Sequence, residues 1–292
     1  MQHVVIDTDA FWDADDAVSL AIAGITVDHL TVITSDETGG RRARGVRLLM
    51  NALGRTDVEV VAGHELGNHE KFLLDDLIDG VPAQPSDVVG VITQICDAST
   101  GRVRWVGQGP MSNLARILTA RPHLAEQIQV TQQGGWLDRY RDKTRASTNL
   151  RRDQVSAGLA LRTSCEPRLL LSDWTHTDEL QITRDSELFR MFSAPGVPEW
   201  ARIVAANLER WLARGKPSKM HDPLALSAAL GHEFVAFVPE RVRIAADARM
   251  TRDRAGRMIW TATGVDYPAF VQWLHAMIFT GLQREVTDAA HR

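Results

Sequence analysis

Val4-Val5-Ile6-Asp7-Thr8-Asp9-Ala10-Phe11-Trp12-Asp13-Ala14-Asp15-Asp16-Ala17 passes from a short apolar run into five carboxylates within ten residues. The run Val4 to Ile6 reads as a buried strand, and Ala17 to Ile25 as the helix that follows it. Asp15 and Asp16 then fall in the helix's first turn, where partial positive charge favours an anion. Capping plus a solvated loop explains one or two such acids. Five repel one another unless a cation offsets them, so a hard divalent ion held by carboxylate oxygens is the sharper reading.

The same strand-then-helix alternation continues outward from this segment. His29 to Thr34, Val58 to Ala62, Val103 to Val106, Ile128 to Thr131 and Arg168 to Leu171 read as strands. Arg44 to Leu53, Val88 to Ala98 and Asn113 to Thr119 read as the helices between them, Glu199 to Arg214 and Pro223 to Leu230 as later ones, and Tyr267 to Leu282 as an amphipathic tail of aromatic and aliphatic residues. The pattern predicts an α/β fold: an open, mostly parallel, Rossmann-like sheet with helices on both faces. Such sheets place sites beyond the carboxyl ends of their strands. Gly63 to Ser86 and the strongly basic Trp136 to Arg152 read as loops placed to cover a site, or as solvated connections. No linker or repeat divides the chain, which reads as one domain over residues 1–292.

Composition narrows the function classes. Thirty-three basic residues against 37 acidic ones leave a net charge of −4, which gives no electrostatic reason to expect nucleic acid or a membrane surface. Cys96 and Cys165 are too few for a disulfide framework or a thiolate metal site. No secretory signal is visible at the start and no apolar run approaches the ~18 residues of a membrane span, so a cytoplasmic protein is expected.

An Asp-x-Asp after a strand also opens the haloacid dehalogenase-like phosphatases, but Asp15-Asp16 and the later blocks do not belong to that pattern. Together the blocks resemble the inosine-uridine-preferring nucleoside hydrolase family. Asp7-Thr8-Asp9 with Asp15-Asp16-Ala17 is similar to its N-terminal signature. Gly109-Pro110-Met111-Ser112-Asn113-Leu114-Ala115, Gly134-Gly135, Asn149 with Asp153, Ser172-Asp173-Trp174-Thr175-His176 and His221-Asp222-Pro223-Leu224-Ala225 follow in the family's order. Each block alone has a plain structural reading: Ser112 or Asn113 as a helix cap, His221 as a satisfied histidine, Asp222 as a helix start.

The resemblance implies a calcium-dependent hydrolase of the N-glycosidic bond of ribosides. Asp9, Asp16 and Asp222 would be side-chain calcium ligands, and the backbone carbonyl of Ser112 a further one. Asp9 would be the base that activates water, and His221 the proton donor to the leaving base. Asp15, Asn149 and Asp36 would hydrogen-bond ribose hydroxyls, while Asp173 and Thr175 read as structural support. Trp12, Trp136 and Trp174 follow strands, placed either to stack a base or to pack the rim. The expected partner is a small-molecule riboside, with neither nucleic acid nor membrane, in a homo-oligomer (dimer or tetramer).

The sequence also departs from the family. Phe11 stands where a glycine is usual, setting a bulky ring beside the acidic loop, and Asp36 where an asparagine is common. No His-Gly loop is recognisable after Gly63. Ser147 and Arg141 occupy the positions of a Glu and an Asn that hold the ribose 5′-hydroxyl, within a stretch that also carries Arg139, Lys143, Arg145, Arg151 and Arg152. Losing a carboxylate and gaining a guanidinium shifts preference from hydroxyl to anion, which points to a 5′-phosphate or another 5′ modification. The alternatives are a solvated basic loop with a plain nucleoside as substrate, and a catalytically silent riboside-binding homologue.

Overall fold

The computed structural model describes residues 2–289, with side chains through Gln283. The strands are β1 (Val4–Thr8), β2 (Leu30–Thr34), β3 (Glu59–Ala62), β4 (Val103–Gly107), β5 (Ile128–Gln133), β6 (Arg168–Leu170), β7 (Gln181–Ile182), β8 (Ser218–Lys219), β9 (Val235–Ile244), β10 (Met250–Arg252) and β11 (Arg257–Val265). The helices are α1 (Asp15–Thr26), α2 (Arg41–Ala52), α3 (Val88–Ala98), α4 (Ser112–Ala120), α5 (Thr148–Arg152), α6 (Gln154–Thr163), α7 (Ser172–Thr175), α8 (Glu187–Phe192), α9 (Glu199–Leu212), α10 (His221–Leu230) and α11 (Tyr267–Ala289). No helix among the described residues is long and apolar enough to cross a membrane.

Nine strands form one sheet in the order β10-β9-β11-β6-β5-β4-β1-β2-β3, and β7 pairs with β8 apart from it. Every pairing from β3 across to β11 is parallel; β9 and β10 close the far edge antiparallel. The expectation of a mostly parallel α/β sheet therefore holds, and the hairpin strands β9 to β11 are what sequence reading missed. Only Val235 and Val242 of β9 are buried, and Pro239 and charged residues interrupt its apolar pattern. A strand so exposed gives no continuous apolar run to read.

Alternation along the buried strands sends neighbours to opposite layers. Val4, Ile6, Val32 and Val106 join Leu20 of α1, Val204 of α9, Leu224 of α10 and Phe270 of α11 in one core. Val5, Ile33, Val61 and Trp105 join Ile92 of α3, Leu114 of α4 and Leu161 of α6 in the other. Sequential order runs outward from β1 in both directions, through β2 to β3 and through β4 to β6, so the switch point lies between β1 and β4. Open sheets of this kind hold their ligand crevice there, beyond the carboxyl ends of the strands, and the acidic loop after β1 leaves the sheet at that point.

Phe11 corrects one expectation. Its ring does not stand beside the acidic residues; it is fully buried in the core. The residue adopts a left-handed backbone (φ 71°), and its ring meets Phe72 edge-on at 5.9 Å between centroids. Gly45 of α2 leaves the room: a Cβ there would stand 2.7 Å from the ring. Phe11→Ala should therefore cost about 3–5 kcal/mol of stability through the cavity it leaves, read from urea unfolding, with Phe11→Leu costing clearly less.

Candidate active site

The loop after β1 delivers its carboxylates into the crevice at the switch point. Asp15 and Asp16 open α1, and Asp222 lies in the first turn of α10, so two helix N-termini face each other with acids in both. One carboxylate oxygen from each of Asp15, Asp16 and Asp222 lies within 4.8 Å of the other two, and all three side chains are buried. Burial first, and then neighbouring carboxylates, push all three well above the usual carboxylate range: Asp13 and Asp16 act on Asp15, Asp9 on Asp16, and Asp15 and Asp16 on Asp222. Three acids forced together in low dielectric, with oxygen donors only, fit a hard divalent cation.

Asp9 takes another partner. Its carboxylate is ion-paired with the Arg152 guanidinium, which also reaches Asp36 Oδ2 at 3.2 Å. Asp9 still lies close enough to charge the acids around it, and Gly109 makes room for it: a Cβ there would stand 3.0 Å from Asp9 Oδ1 and 2.3 Å from Ser35 Oγ. Burial works against the Arg152 charge, but Asp9 and Asp36 more than offset it. Asp36, fully buried in a left-handed conformation (φ 47°), accepts Asn68 Nδ2 at 2.8 and 2.9 Å on its two oxygens. Lys71 in turn donates to Asn68 at 2.9 Å. Both oxygens of Asp36 are thus engaged within the protein.

The remaining predicted residues divide into those facing the crevice and those bracing it. Asn149 donates to the Gln108 carbonyl at 2.6 Å and to Gln133 Oε1 at 2.8 Å, which ties α5 to the ends of β4 and β5. The Ser112 hydroxyl donates to Asp153 at 2.6 Å, and Asp153 also caps α6 through Ser156 N at 3.1 Å. Ser147 Oγ accepts the Gly135 N–H at 2.7 Å, holding a turn whose glycines sit at φ 131° and 92°. Only glycine takes that pair of conformations readily. Arg141 is exposed and lines a neighbouring cleft rather than the acidic crevice. Trp12 packs edge-on to Trp211 at 5.8 Å, with the Arg214 guanidinium 4.2 Å over its ring.

His221 begins α10 directly before Asp222, and its ring stacks on His176 at 6.2 Å with the planes 6° apart. Burial, with His176 and Lys219 adding to it, lowers its pKa to about 3. The imidazole is therefore neutral near pH 7, and its buried Nδ1 has no hydrogen-bond partner among the described residues.

Sequence reasoning missed Arg152, Arg42, Asn68 and Lys71. Arg42 is fully buried and donates to the carbonyls of Asp9 and Ala10 and, at 2.8 Å, of Asp36, stitching the loops after β1 and β2 together. One signal for Arg152 was available: it follows Asn149 by three residues on α5, hence the same helix face. Asp7, expected only as part of the acidic signature, proves a buried brace, accepting Asn113 Nδ2 at 2.8 Å.

Buried carboxylates converging on the switch point of a parallel sheet give this chain an α/β fold with an acidic, oxygen-only site. The sequence profile of the inosine-uridine preferring nucleoside hydrolases matches residues 4–272, and the chain belongs to that family. It is thereby an N-glycosyl hydrolase. It is 24% identical over 270 residues to a pyrimidine-specific ribonucleoside hydrolase, RihA, from Shigella boydii, with 85% of this chain and 86% of that protein covered. Its fold is similar to that of the inosine-uridine preferring nucleoside hydrolase of Bacillus anthracis, with a TM-score of 0.75 and 16% identity over 95% of this chain and 99% of that one. The purine-preferring ribonucleoside hydrolase of Gardnerella vaginalis matches at a TM-score of 0.76 and 18% identity, over 96% and 99% of the two chains.

Two consequences are measurable. Burial and the Asp9 charge raise Asp7 to about 8, and burial raises Asp13 to about 7, both from 3.8. Carboxyls that hold a proton more tightly when folded favour the fold at low pH and lose that contribution as pH rises through the folded pKa. In chelator, Tm should therefore fall as pH goes from about 5 to about 8, and a bound divalent ion should flatten that slope. Separately, Arg152→Met strands the Asp9 and Asp36 carboxylates and should cost about 3–5 kcal/mol in metal-free protein. A divalent ion should recover more Tm in this variant than in the unaltered chain, as differential scanning fluorimetry would show.

Proposed function

We propose that the chain cleaves the N-glycosidic bond of a ribonucleoside or a 5′-substituted riboside with water, with Ca²⁺ as its ion. The observation that carries this reading is the buried triad Asp15, Asp16 and Asp222 at the strand ends of a chain of this family. Asp16 and Asp222, with Asp9 and the Ser112 backbone carbonyl, would hold the ion, an all-oxygen donor set that suits calcium rather than a softer metal. When bound, the ion supplies positive charge for ribose hydroxyls and water, which no residue of the triad offers.

The chain's own groups then divide the work. Asp9 takes a proton from the attacking water, since calcium acidifies water only mildly. Arg152 holds the Asp9 carboxylate in place from the other side and keeps Asp36 beside it. Asp15 accepts a hydrogen bond from a ribose hydroxyl, and Asn149, fixed by Gln108 and Gln133, orients its carbonyl oxygen by those same contacts. The anomeric carbon passes through a state of oxocarbenium character, which the surrounding carboxylates stabilise. The base leaves as an anion steadied by an N–H hydrogen bond from neutral His221, and takes its proton from solvent while Asp9 gives up the one it gained from water.

Release of free base from inosine and uridine, followed with calcium present and with chelator, tests this reading. Calcium-dependent release is the expected result. Asp222→Asn should abolish it, and Asp9→Asn should lower kcat by about 10²–10⁴ with the fold intact. Release that persists in chelator, or that survives both substitutions, would sink the proposal.

A further inference from the structure

Beside the acidic crevice lies a cleft of about 390 Å³ lined by Trp136, Arg139, Arg141, Trp174, His176 and Tyr267, with Asp173, Thr177 and Glu179 completing its wall. It adjoins the site through rings: Trp136 meets His176 edge-on at 6.2 Å, and His176 stacks on His221. A second cavity, of about 410 Å³ beside Asp28, Arg55 and Asp57, lies at the opposite edge of the sheet, among residues that precede the strands.

The cleft is built rather than left over. Asp173 accepts the backbone N–H groups of Leu137, Asp138 and Arg139 at 3.0, 2.7 and 2.6 Å. Tyr140 is pinned next in line, donating to the Met250 carbonyl at 2.9 Å and accepting the Met250 N–H at 2.8 Å. Tyr267 donates to the Trp174 carbonyl at 2.7 Å, fixing the opposite wall. Arg139 and Arg141 therefore project from an anchored segment. Neither guanidinium makes a hydrogen bond or an ion pair among the described residues; Arg139 lies 4.7 Å over the Trp174 ring.

The lining charges are unequal in availability. Asp173 spends its oxygens on three N–H groups, and Glu179 accepts from Thr177 Oγ1. The guanidinium donors have no such partners, and Arg141 is close enough to act on the His176 ring. Unspent guanidinium forks in an aromatic cleft match a phosphate better than a hydroxyl, which one acceptor or donor would serve.

We infer that this cleft is the subsite for a phosphate carried on the 5′ oxygen of the riboside, held by Arg139 and Arg141. The inference rests on the riboside reading given above. In that reading the 2′ and 3′ hydroxyls are engaged at the acidic crevice, and the 5′ carbon stands on the same face of the sugar as the base, so a 5′ substituent extends on the side of His221, the ring through which the cleft joins the site. The substrate class is then a nucleoside 5′-monophosphate, cleaved to free base and ribose 5-phosphate with the phosphate ester untouched.

The test compares uridine with uridine 5′-monophosphate, and inosine with inosine 5′-monophosphate, in calcium. Base release and calorimetric binding are measured for the unaltered chain and for R139A/R141A. The monophosphates should be favoured in kcat/KM by at least about tenfold, the worth of one charge-assisted hydrogen bond. That ratio should fall towards one in the double variant and be partly rescued by R139K/R141K. A ratio near one in the unaltered chain, or one that persists in R139A/R141A, overturns the subsite while leaving riboside cleavage standing. Should neither member of a pair be cleaved, binding decides: monophosphate binding that the double variant loses keeps the subsite and removes the cleavage reading. Equal binding of nucleoside and monophosphate overturns the subsite.

Discussion

Mutual repulsion among buried carboxylates governs the arrangement around the crevice. Asp7, Asp13, Asp15, Asp16 and Asp222 all sit where burial raises their proton affinity, and each feels at least one neighbouring acid. Two buried guanidiniums oppose them, and neither satisfies the triad. Arg42 directs its donors to backbone carbonyls, and Arg152 is committed to Asp9 and Asp36. Neutral donors take up part of the remainder: Asn113 on Asp7, Thr8 on Asp16 at 2.5 Å and Ser218 on Asp13 at 2.5 Å. Such hydrogen bonds lower the cost of a buried charge without cancelling it. The uncancelled part is concentrated at Asp15, Asp16 and Asp222, where a cation would have the most to gain.

The sheet makes this concentration possible. Its hydrogen-bond ladder runs on past the strand ends, with Ser35 N donating to the Thr8 carbonyl at 2.8 Å and Gln108 N to the Asp7 carbonyl at 2.7 Å. The loops after β1, β2 and β4 are thus locked to one another where the carboxylates emerge. Gln108 extends the lock to the far helix, donating to the Asp222 carbonyl at 3.2 Å and to Ser19 of α1 at 2.5 Å. Rigid strand ends hold like charges close enough to repel, a configuration that flexible loops would relax by moving apart.

Legibility in the sequence followed burial. The parallel strands and the helices beside them were readable because both faces of the sheet are covered, giving continuous apolar runs such as Val4-Val5-Ile6. Asp15 and Asp16 were readable as part of an acidic cluster after a strand, whereas Asp222 joined them only through the family resemblance, which set Asp9 rather than Asp15 beside Asp16 and Asp222. What escaped depends on tertiary placement alone. Arg152 lies in a run of basic residues that reads as a solvated surface, and only the turn of α5 brings it inward to Asp9. Phe11 shares a loop with the acids, yet its left-handed backbone sends the ring to the core. Asp36 was expected to meet a ribose hydroxyl, but Asn68, which takes both its oxygens, comes from a loop without a recognisable pattern.

One segment links the acidic crevice to the aromatic cleft. It leaves β5 through the Gly134–Gly135 turn, lines the cleft with Trp136, Arg139 and Arg141, and returns as α5 bearing Asn149 and Arg152. Ser147 closes the loop on itself by accepting the Gly135 N–H, so the two ends cannot separate without breaking a buried hydrogen bond. The base of the loop is therefore fixed by backbone contacts, while the guanidiniums near its tip are free to face a ligand. Substitutions at Arg139 and Arg141 disturb no buried partner, whereas substitution at Ser147 or Arg152 does. Substrate preference can thus change at the tip at little cost in stability, because the contacts that shape the acidic crevice lie at the base.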